Sequence, residues 1–208
     1  MKKLTLFDLD GTLVDSETLL NEVLVDFLEE LGFELSLEEA DARFRGGKMA
    51  ESVLQIEQRF NTKLQDDFIE QFRARTAAAF KDRLQPIDGA LELVRTLETN
   101  ICIASNGPPE KIDLSLTLTG LKPYFGDRVF SAYDINAWKP NPELFLNAAR
   151  TLGTQPKDCA VIEDSLPGIR GGLAAGMQVY ALFPDVRPPN LPSEVVVVQH
   201  LSELNELL

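Results

Sequence analysis

The sequence predicts an α/β protein whose core is a doubly wound parallel sheet, with a small all-helical segment inserted after the first strand. Three observations predict this. From Ile87 onward, apolar runs of strand length alternate with segments of helical periodicity, the pattern of βαβ units. Between Glu17 and about Lys81 the apolar patterns are helical throughout. Four of the apolar strands end abruptly in polar residues suited to binding phosphate or metal, and an open parallel sheet binds its ligands outside the carboxyl ends of its strands.

The first strand is Leu4-Thr5-Leu6-Phe7, short, apolar and of high β-propensity. It runs into Asp8-Leu9-Asp10-Gly11-Thr12. Taken alone, Asp10-Gly11 reads as an ordinary turn. Side chains alternate along a strand, so Asp8 and Asp10 share a face only if the chain stays extended; a turn starting at Leu9-Asp10 frees them for different jobs around one point. Leu19, Leu20, Val23, Leu24, Phe27, Leu28 and Leu31 then recur at helical spacing, with Gly32 as a stop. Ser36 with Glu39 forms a capping box for a second short helix. Met49 to Phe60 and Asp66 to Asp82 read as two more. Linkers fall near Leu13-Val14-Asp15-Ser16 and Arg83-Leu84-Gln85-Pro86, and Asp88-Gly89 marks the return to the alternating pattern. The expected division is therefore a core of residues 1–15 and 84–208 with an insert of residues 16–83.

In the second half a helix through Leu91, Leu93, Val94 and Leu97 leads to a strand at Ile101-Cys102-Ile103-Ala104, which ends in Ser105-Asn106-Gly107. The next helix spans about Pro109 to Thr119, because proline suits a first turn where the missing N–H costs little, and Gly120 stops it. Val129-Phe130-Ser131 is a short strand, followed by Trp138-Lys139-Pro140. A helix opens at Asn141-Pro142-Glu143 and closes at Gly153. The strand Cys159 to Ile162 ends in Glu163-Asp164-Ser165. A Gly- and Ala-rich helix to Gly176, whose small residues allow close packing on the sheet, precedes strands at Gln178 to Leu182 and Val195 to Val198 and a short final helix.

Composition narrows the function. With 33 acidic against 20 basic residues, the net charge of −13 argues against nucleic acid, whose phosphates select basic surfaces. Any phosphate that the strand ends bind would have to be drawn in locally, by a metal and a few cations. Cys102 and Cys159 both fall inside predicted strands and read as small core residues of a reducing compartment. Met1-Lys2-Lys3 imitates the start of a signal peptide, but Asp8 and Asp10 interrupt the apolar run far too early, and no run reaches transmembrane length. The expectation is a cytoplasmic monomer that acts on a small molecule and engages neither nucleic acid nor membrane. The single His200, near the C-terminus, has no place in the expected chemistry.

Four strand ends thus converge on one edge of the sheet: Asp8 and Asp10, Ser105-Asn106, Lys139-Pro140, and Glu163-Asp164. In these four motifs and their order, the chain resembles the haloacid-dehalogenase-like phosphohydrolases with a Rossmann-like core and a small helical cap. The segments Ser105-Asn106-Gly107-Pro108 and Ser131 to Pro140 are most similar to those of bacterial 6-phosphogluconate-type sugar phosphatases. The resemblance implies Asp8 as nucleophile and metal ligand, forming an aspartyl-phosphate. It implies Asp10 as the acid that protonates the leaving oxygen and then the base that activates water, its backbone carbonyl also reaching the metal. It implies Asp164 as the main carboxylate ligand and Glu163 as a second, direct or through water. For Glu163-Asp164 the alternative is a helix N-cap, a job for which Ser165 competes. Oxygen ligands without Cys or His favour a hard ion, and Mg²⁺ suits a site shared with phosphate. Ser105 and Asn106 would bind the phosphate oxygens together with backbone N–H groups, and Lys139 would neutralise charge on Asp8 and the phosphate. The specificity loop would fall on Arg43-Phe44-Arg45-Gly46-Gly47-Lys48, where Arg45, Gly46 and Lys48 are the substrate-binding candidates and Arg45 or Lys48 would suit a substrate carboxylate.

Rivals on the same core fit less well. A dehalogenase does not need Asp10, and a phosphonate hydrolase needs a cap lysine, for which Lys48 is a poor candidate. A phosphosugar mutase of the beta-phosphoglucomutase type shares Asp15 but has a histidine on the first cap helix, where this chain has Leu19-Leu20. A non-catalytic binding protein would have lost a catalytic residue, and all are present here.

Overall fold

The computed structural model describes residues 2–44, 48–183, 187–188 and 190–208. Strand β1 (Leu4–Phe7) is buried along its whole length. Four helices follow with no strand between them: α1 (Glu17–Glu30), α2 (Leu37–Phe44), α3 (Met49–Phe60) and α4 (Phe68–Arg83). The alternating half contains α5 (Ala90–Thr96), β2 (Asn100–Ser105), α6 (Pro109–Leu118), α7 (Lys122–Phe125), β3 (Val129–Ser131), α8 (Ala132–Ile135), α9 (Glu143–Thr151), β4 (Cys159–Glu163), α10 (Leu166–Ala174), β5 (Gln178–Leu182), β6 (Val196–Val198) and α11 (Leu204–Leu207).

Among the described residues the sheet has six strands in the order β3-β2-β1-β4-β5-β6, and every neighbouring pair is parallel. The first strand is thus central. Phe7 lies level with Ile103 of β2 and Ile162 of β4, so Asp8, Ser105 and Glu163 follow one another at one edge of the sheet. The alternation of side chains divides β1 between two cores. Phe7 joins Ile103, Ile112, Phe125 and Ile162 on one face of the sheet; Leu4 and Leu6 join Cys102, Phe145, Val161 and Val179 on the other. Each such fully buried Leu or Phe is worth roughly 1.5–3 kcal/mol.

The inserted helices have an apolar cluster of their own, built on Leu24, Phe27, Leu28, Phe44, Ile56 and Phe68. Phe27 and Phe68 stack with ring centroids 4.7 Å apart. The two chain crossings that join these helices to the core lie side by side. Ile87 N donates to Leu13 O at 2.9 Å, and Asp15 N donates to Gln85 O at 2.9 Å.

Most expected elements stand where the sequence puts them. The four-residue helices α7 and α8 were not foreseen, because a single turn offers no periodicity to detect. The capping box on α2 is half formed. Glu39 N donates to Ser36 Oγ at 3.2 Å, but the Glu39 carboxylate pairs with Arg43 and Arg59 instead of turning back to Ser36. Cys102 and Cys159 are buried and unbridged, as expected. Among the described residues no helix is long and apolar enough to cross a membrane.

Candidate active site

The floor of the site is made by the residues that leave β1 and β4 and by the segment after α8. Lys139 ties them together. Its Nζ donates to Asp8 Oδ1 at 2.5 Å and to Glu163 Oε1 at 2.7 Å, with all three side chains buried. The second oxygen of Glu163 accepts from both the N–H and the hydroxyl of Ser165, each at 2.8 Å. Ser165 also caps α10 by accepting from Gly168 N at 3.2 Å. The capping duty therefore belongs to Ser165, and Glu163 faces the site.

The turn after β1 is shaped by the same chemistry. Gly11 has φ of +78°, and a Cβ there would lie 2.3 Å from Asp164 Oδ2, so only glycine lets the loop pass this carboxylate. Thr12 Oγ1 donates to Asp164 Oδ1 at 3.1 Å. Asp10, on the opposite side of the loop, receives Ser16 Oγ at 2.6 Å and Lys111 Nζ at 2.6 Å, both on Oδ1. At the end of β2, Ser105 Oγ accepts from Gly107 N at 2.9 Å, and Ser131 Oγ donates to Gly107 O at 2.7 Å. Asn106 Oδ1 accepts from Lys139 N at 2.9 Å, which joins the second motif to the third.

The electrostatics are lopsided. Burial pushes the Asp8 carboxyl well above the ordinary carboxylate range; Lys139 opposes this, while Glu163, Asp164 and Asp10 add to it. Burial also works against the Lys139 ammonium, but Asp8 and Glu163 outweigh it and hold that group above the ordinary lysine range. The Lys139 ammonium thus faces Asp8 and Glu163 with Asp164 beside them, more acids than it can neutralise. Asp8, Glu163 and Asp164 each offer an oxygen, and these oxygens all lie within 4.8 Å of one another. An all-oxygen donor set with excess negative charge fits a hard divalent ion.

A cavity of about 850 Å³ stands over this floor. Asp8, Asp10, Ser105, Asn106 and Lys139 line its base; Leu20, Leu24, Phe44, Phe72 and Phe80 line its helical side. The structure thus brings Asp8, Asp10, Ser105, Asn106, Lys139 and Glu163 into one cavity wall, with Asp164 beside them in the carboxylate cluster. Of the loop candidates, Arg45 and Gly46 lie outside the described residues. Lys48 sets its ammonium 3.7 Å from the centroid of the Trp138 ring and is not among the residues lining the cavity. Sequence reasoning missed Lys111, Ser16, Thr12 and the buried, cavity-lining Glu17. For Lys111 a signal existed: it lies in the first turn of the helix that follows Ser105-Asn106-Gly107, the turn that must face the strand ends.

Comparison with known proteins agrees with this geometry. A family model described as haloacid dehalogenase-like hydrolase matches residues 2–176. The chain is similar to the 6-phosphogluconate phosphatase of Escherichia coli K12, at 36% identity over 205 residues, covering 97% of this chain and 92% of that one. It is similar to hexitol phosphatase B of the same organism, at 28% identity over 207 residues and with coverage of 97% and 92%. Among solved structures it resembles a conserved haloacid dehalogenase-like protein of unknown function from Agrobacterium tumefaciens, with a TM-score of 0.84, 32% identity, and coverage of 100% of this chain and 97% of that one.

Proposed function

The chain belongs to the haloacid dehalogenase-like hydrolases, and from that membership we propose that it is a Mg²⁺-dependent phosphatase of small phosphorylated metabolites. The substrate class is a sugar or sugar-acid phosphate such as 6-phosphogluconate. The names of its relatives, a 6-phosphogluconate phosphatase and a hexitol phosphatase, support that choice. The observation that carries the reading is the Lys139 ammonium clamped between Asp8 and Glu163 at the base of a large cavity.

Asp8 and Asp164 would hold the ion, with the Asp10 backbone carbonyl and Glu163, the latter directly or through water. When bound, Mg²⁺ supplies charge compensation between a carboxylate nucleophile and a dianionic ester. Asp8 attacks phosphorus and becomes the aspartyl-phosphate. Asp10 gives a proton to the departing oxygen, then takes one from the water that attacks the intermediate. Lys139 holds Asp8 in place and offsets charge on the transferring group. Ser105 and Asn106 bind the phosphoryl oxygens at the end of β2. In the same reading residues 16–83 form a cap that opens and closes over the core of residues 1–15 and 84–208, pivoting on the paired crossings at Val14 and Pro86. The cap loop, through Arg45, Gly46 and Lys48, contributes to holding the remote end of the substrate.

The test is release of phosphate from 4-nitrophenyl phosphate and from 6-phosphogluconate, with Mg²⁺ and after exhaustive chelation, in the wild-type chain and in Asp8→Asn. Turnover is expected only with the metal, and Asp8→Asn should lose at least about 10⁴-fold in kcat. An Asp8→Asn enzyme within about tenfold of wild type would remove the nucleophile assignment.

A further inference from the structure

Lys111 occupies a position that the four motifs leave without a role. It stands in the first turn of α6, its side chain is 19% exposed, and its Nζ lies 2.6 Å from Asp10 Oδ1. Other acids are nearby. Glu110 and Asp113 belong to the same helix and also line the cavity, and Asp113 pairs with Lys122. The Lys111 ammonium goes to Asp10, with the ring centroid of buried Phe80 from α4 5.8 Å from Nζ on the cavity wall. The oxygen it meets is the one that also accepts from Ser16 Oγ at 2.6 Å. The Ser16 hydrogen bond and the Lys111 ion pair meet on one carboxylate oxygen and together hold the group against rotation about its Cβ–Cγ bond, which a single contact leaves loose. The hydrogen bond of Ser16 goes to Oδ1 and not to the other oxygen, Oδ2, which lies toward Gly107, where an added Cβ would come within 3.7 Å of it.

We propose that Lys111 is a positioning residue for the leaving-group half of the reaction. It holds Asp10 Oδ1, together with Ser16, and so presents Oδ2 as the oxygen that carries the transferred proton. This rests on the reading of Asp10 as acid and base given above. In the first step a carboxylate oxygen of Asp8 bonds to phosphorus as the ester P–O bond breaks. The electron pair of that bond goes to the ester oxygen, which takes the proton from Asp10 Oδ2 and leaves as the alcohol. In the second step water oxygen bonds to phosphorus, the Asp8–phosphorus bond breaks with its electron pair returning to Asp8, and the proton of the water passes to Oδ2. A misaimed Asp10 harms the first step only where the departing oxygen needs that proton. An alkoxide needs it; a 4-nitrophenolate does not.

The experiment compares wild type, Lys111→Met and Lys111→Arg in the full chain with Mg²⁺ on three esters, reading release of the leaving group in single turnovers, so that the second step, which all esters share, does not enter. Sorbitol 6-phosphate and 6-phosphogluconate have alkyl leaving groups, without and with a carboxylate, and 4-nitrophenyl phosphate has a leaving group that departs unaided. Lys111→Met should slow both alkyl esters by about 10- to 100-fold and the aryl ester by less than about threefold, with KM nearly unchanged and Lys111→Arg recovering most of the loss. An equal loss on all three esters would make Lys111 a support of the fold or a phosphate ligand and overturn the proposal. A loss confined to 6-phosphogluconate would make it a reader of the substrate carboxylate and overturn it too. So would an unchanged rate on the alkyl esters. These outcomes leave the phosphatase reading standing; absence of wild-type turnover on every ester overturns both.

Discussion

Burial acts on single side chains here in two ways, one tied to the proposed chemistry and one without it. At Asp8 it strips water from a charge whose neighbours include three other acids, and the deficit is what a bound cation would repair. At Cys102 and Cys159 it does nothing but keep a proton in place. Burial pushes the Cys159 thiol from 9.0 up to about 11, and it pushes Cys102 higher still. Cys159 Sγ donates to Gln155 O at 3.3 Å. The unfolded chain gives up such a proton near 9.0, whereas the folded chain keeps it to about 11. The stability linked to this group is therefore complete below pH 9.0 and is lost as pH rises through about 11. At pH 8 the native protein should leave Ellman's reagent unreacted, and both thiols should react at once in denaturing urea. A native thiol that reacts quickly would mean that its strand opens. The two cysteines were legible in the sequence because they sit inside apolar runs. Ser16, Thr12 and Lys111 were not, because what gives each its role is a carboxylate brought to it by the fold, and a polar residue in a loop or a first helical turn looks the same with or without one.

Helix α10 shows what an element must give up to serve a site. Its first turn carries Gly168, where a Cβ would fall 1.6 Å from Glu163 Oε1, and its next turn carries Gly172, where a Cβ would fall 2.9 Å from Val179 Cγ2. The sequence predicted a small-residue helix packed closely on the sheet, and the packing is as expected. That one of these glycines makes room for the buried carboxylate of Glu163 was hidden, since composition records size and not what fills the space. Gly168→Ala should displace Glu163 and with it one of the two bonds that hold Lys139. It should cost about 1–3 kcal/mol in urea unfolding, the range typical of overpacking. Activity should fall with it. A variant that unfolds like wild type would show that α10 shifts without strain. The long helices α1, α3, α4 and α6 were legible for the opposite reason: several turns of apolar spacing repeat one message, and Gly or Pro punctuates most of them.

For the molecule as a whole, the decisive imbalance is charge. A chain of net charge −13 concentrates Asp8, Glu163 and Asp164 around one ammonium in a buried pocket. A divalent ion that binds there and not to the unfolded chain must stabilise the fold. At a concentration about 100 times its dissociation constant, Mg²⁺ should add about 2.7 kcal/mol, which for a chain of this size raises Tm by roughly 5–10 °C. EDTA should abolish the shift, and Asp8→Asn should reduce it. A shift that survives in full in Asp8→Asn would place the ion elsewhere. The sheet order has a further consequence, for synthesis on the ribosome. Of the six described strands of the sheet β1 leaves the ribosome first, yet its partners β2 and β4 pair with it from Asn100 and Cys159 onward. About 155 residues must be added before its second edge is covered, which at 5–20 residues per second takes roughly 8–30 s. Throughout that interval the helices α1 to α4, with their own apolar cluster, can gather between the waiting strand and the growing chain. The nascent polypeptide therefore carries Asp8 at the end of a strand with one open edge until translation has passed Glu163, and the set of residues that surrounds Asp8 in the folded chain is completed late.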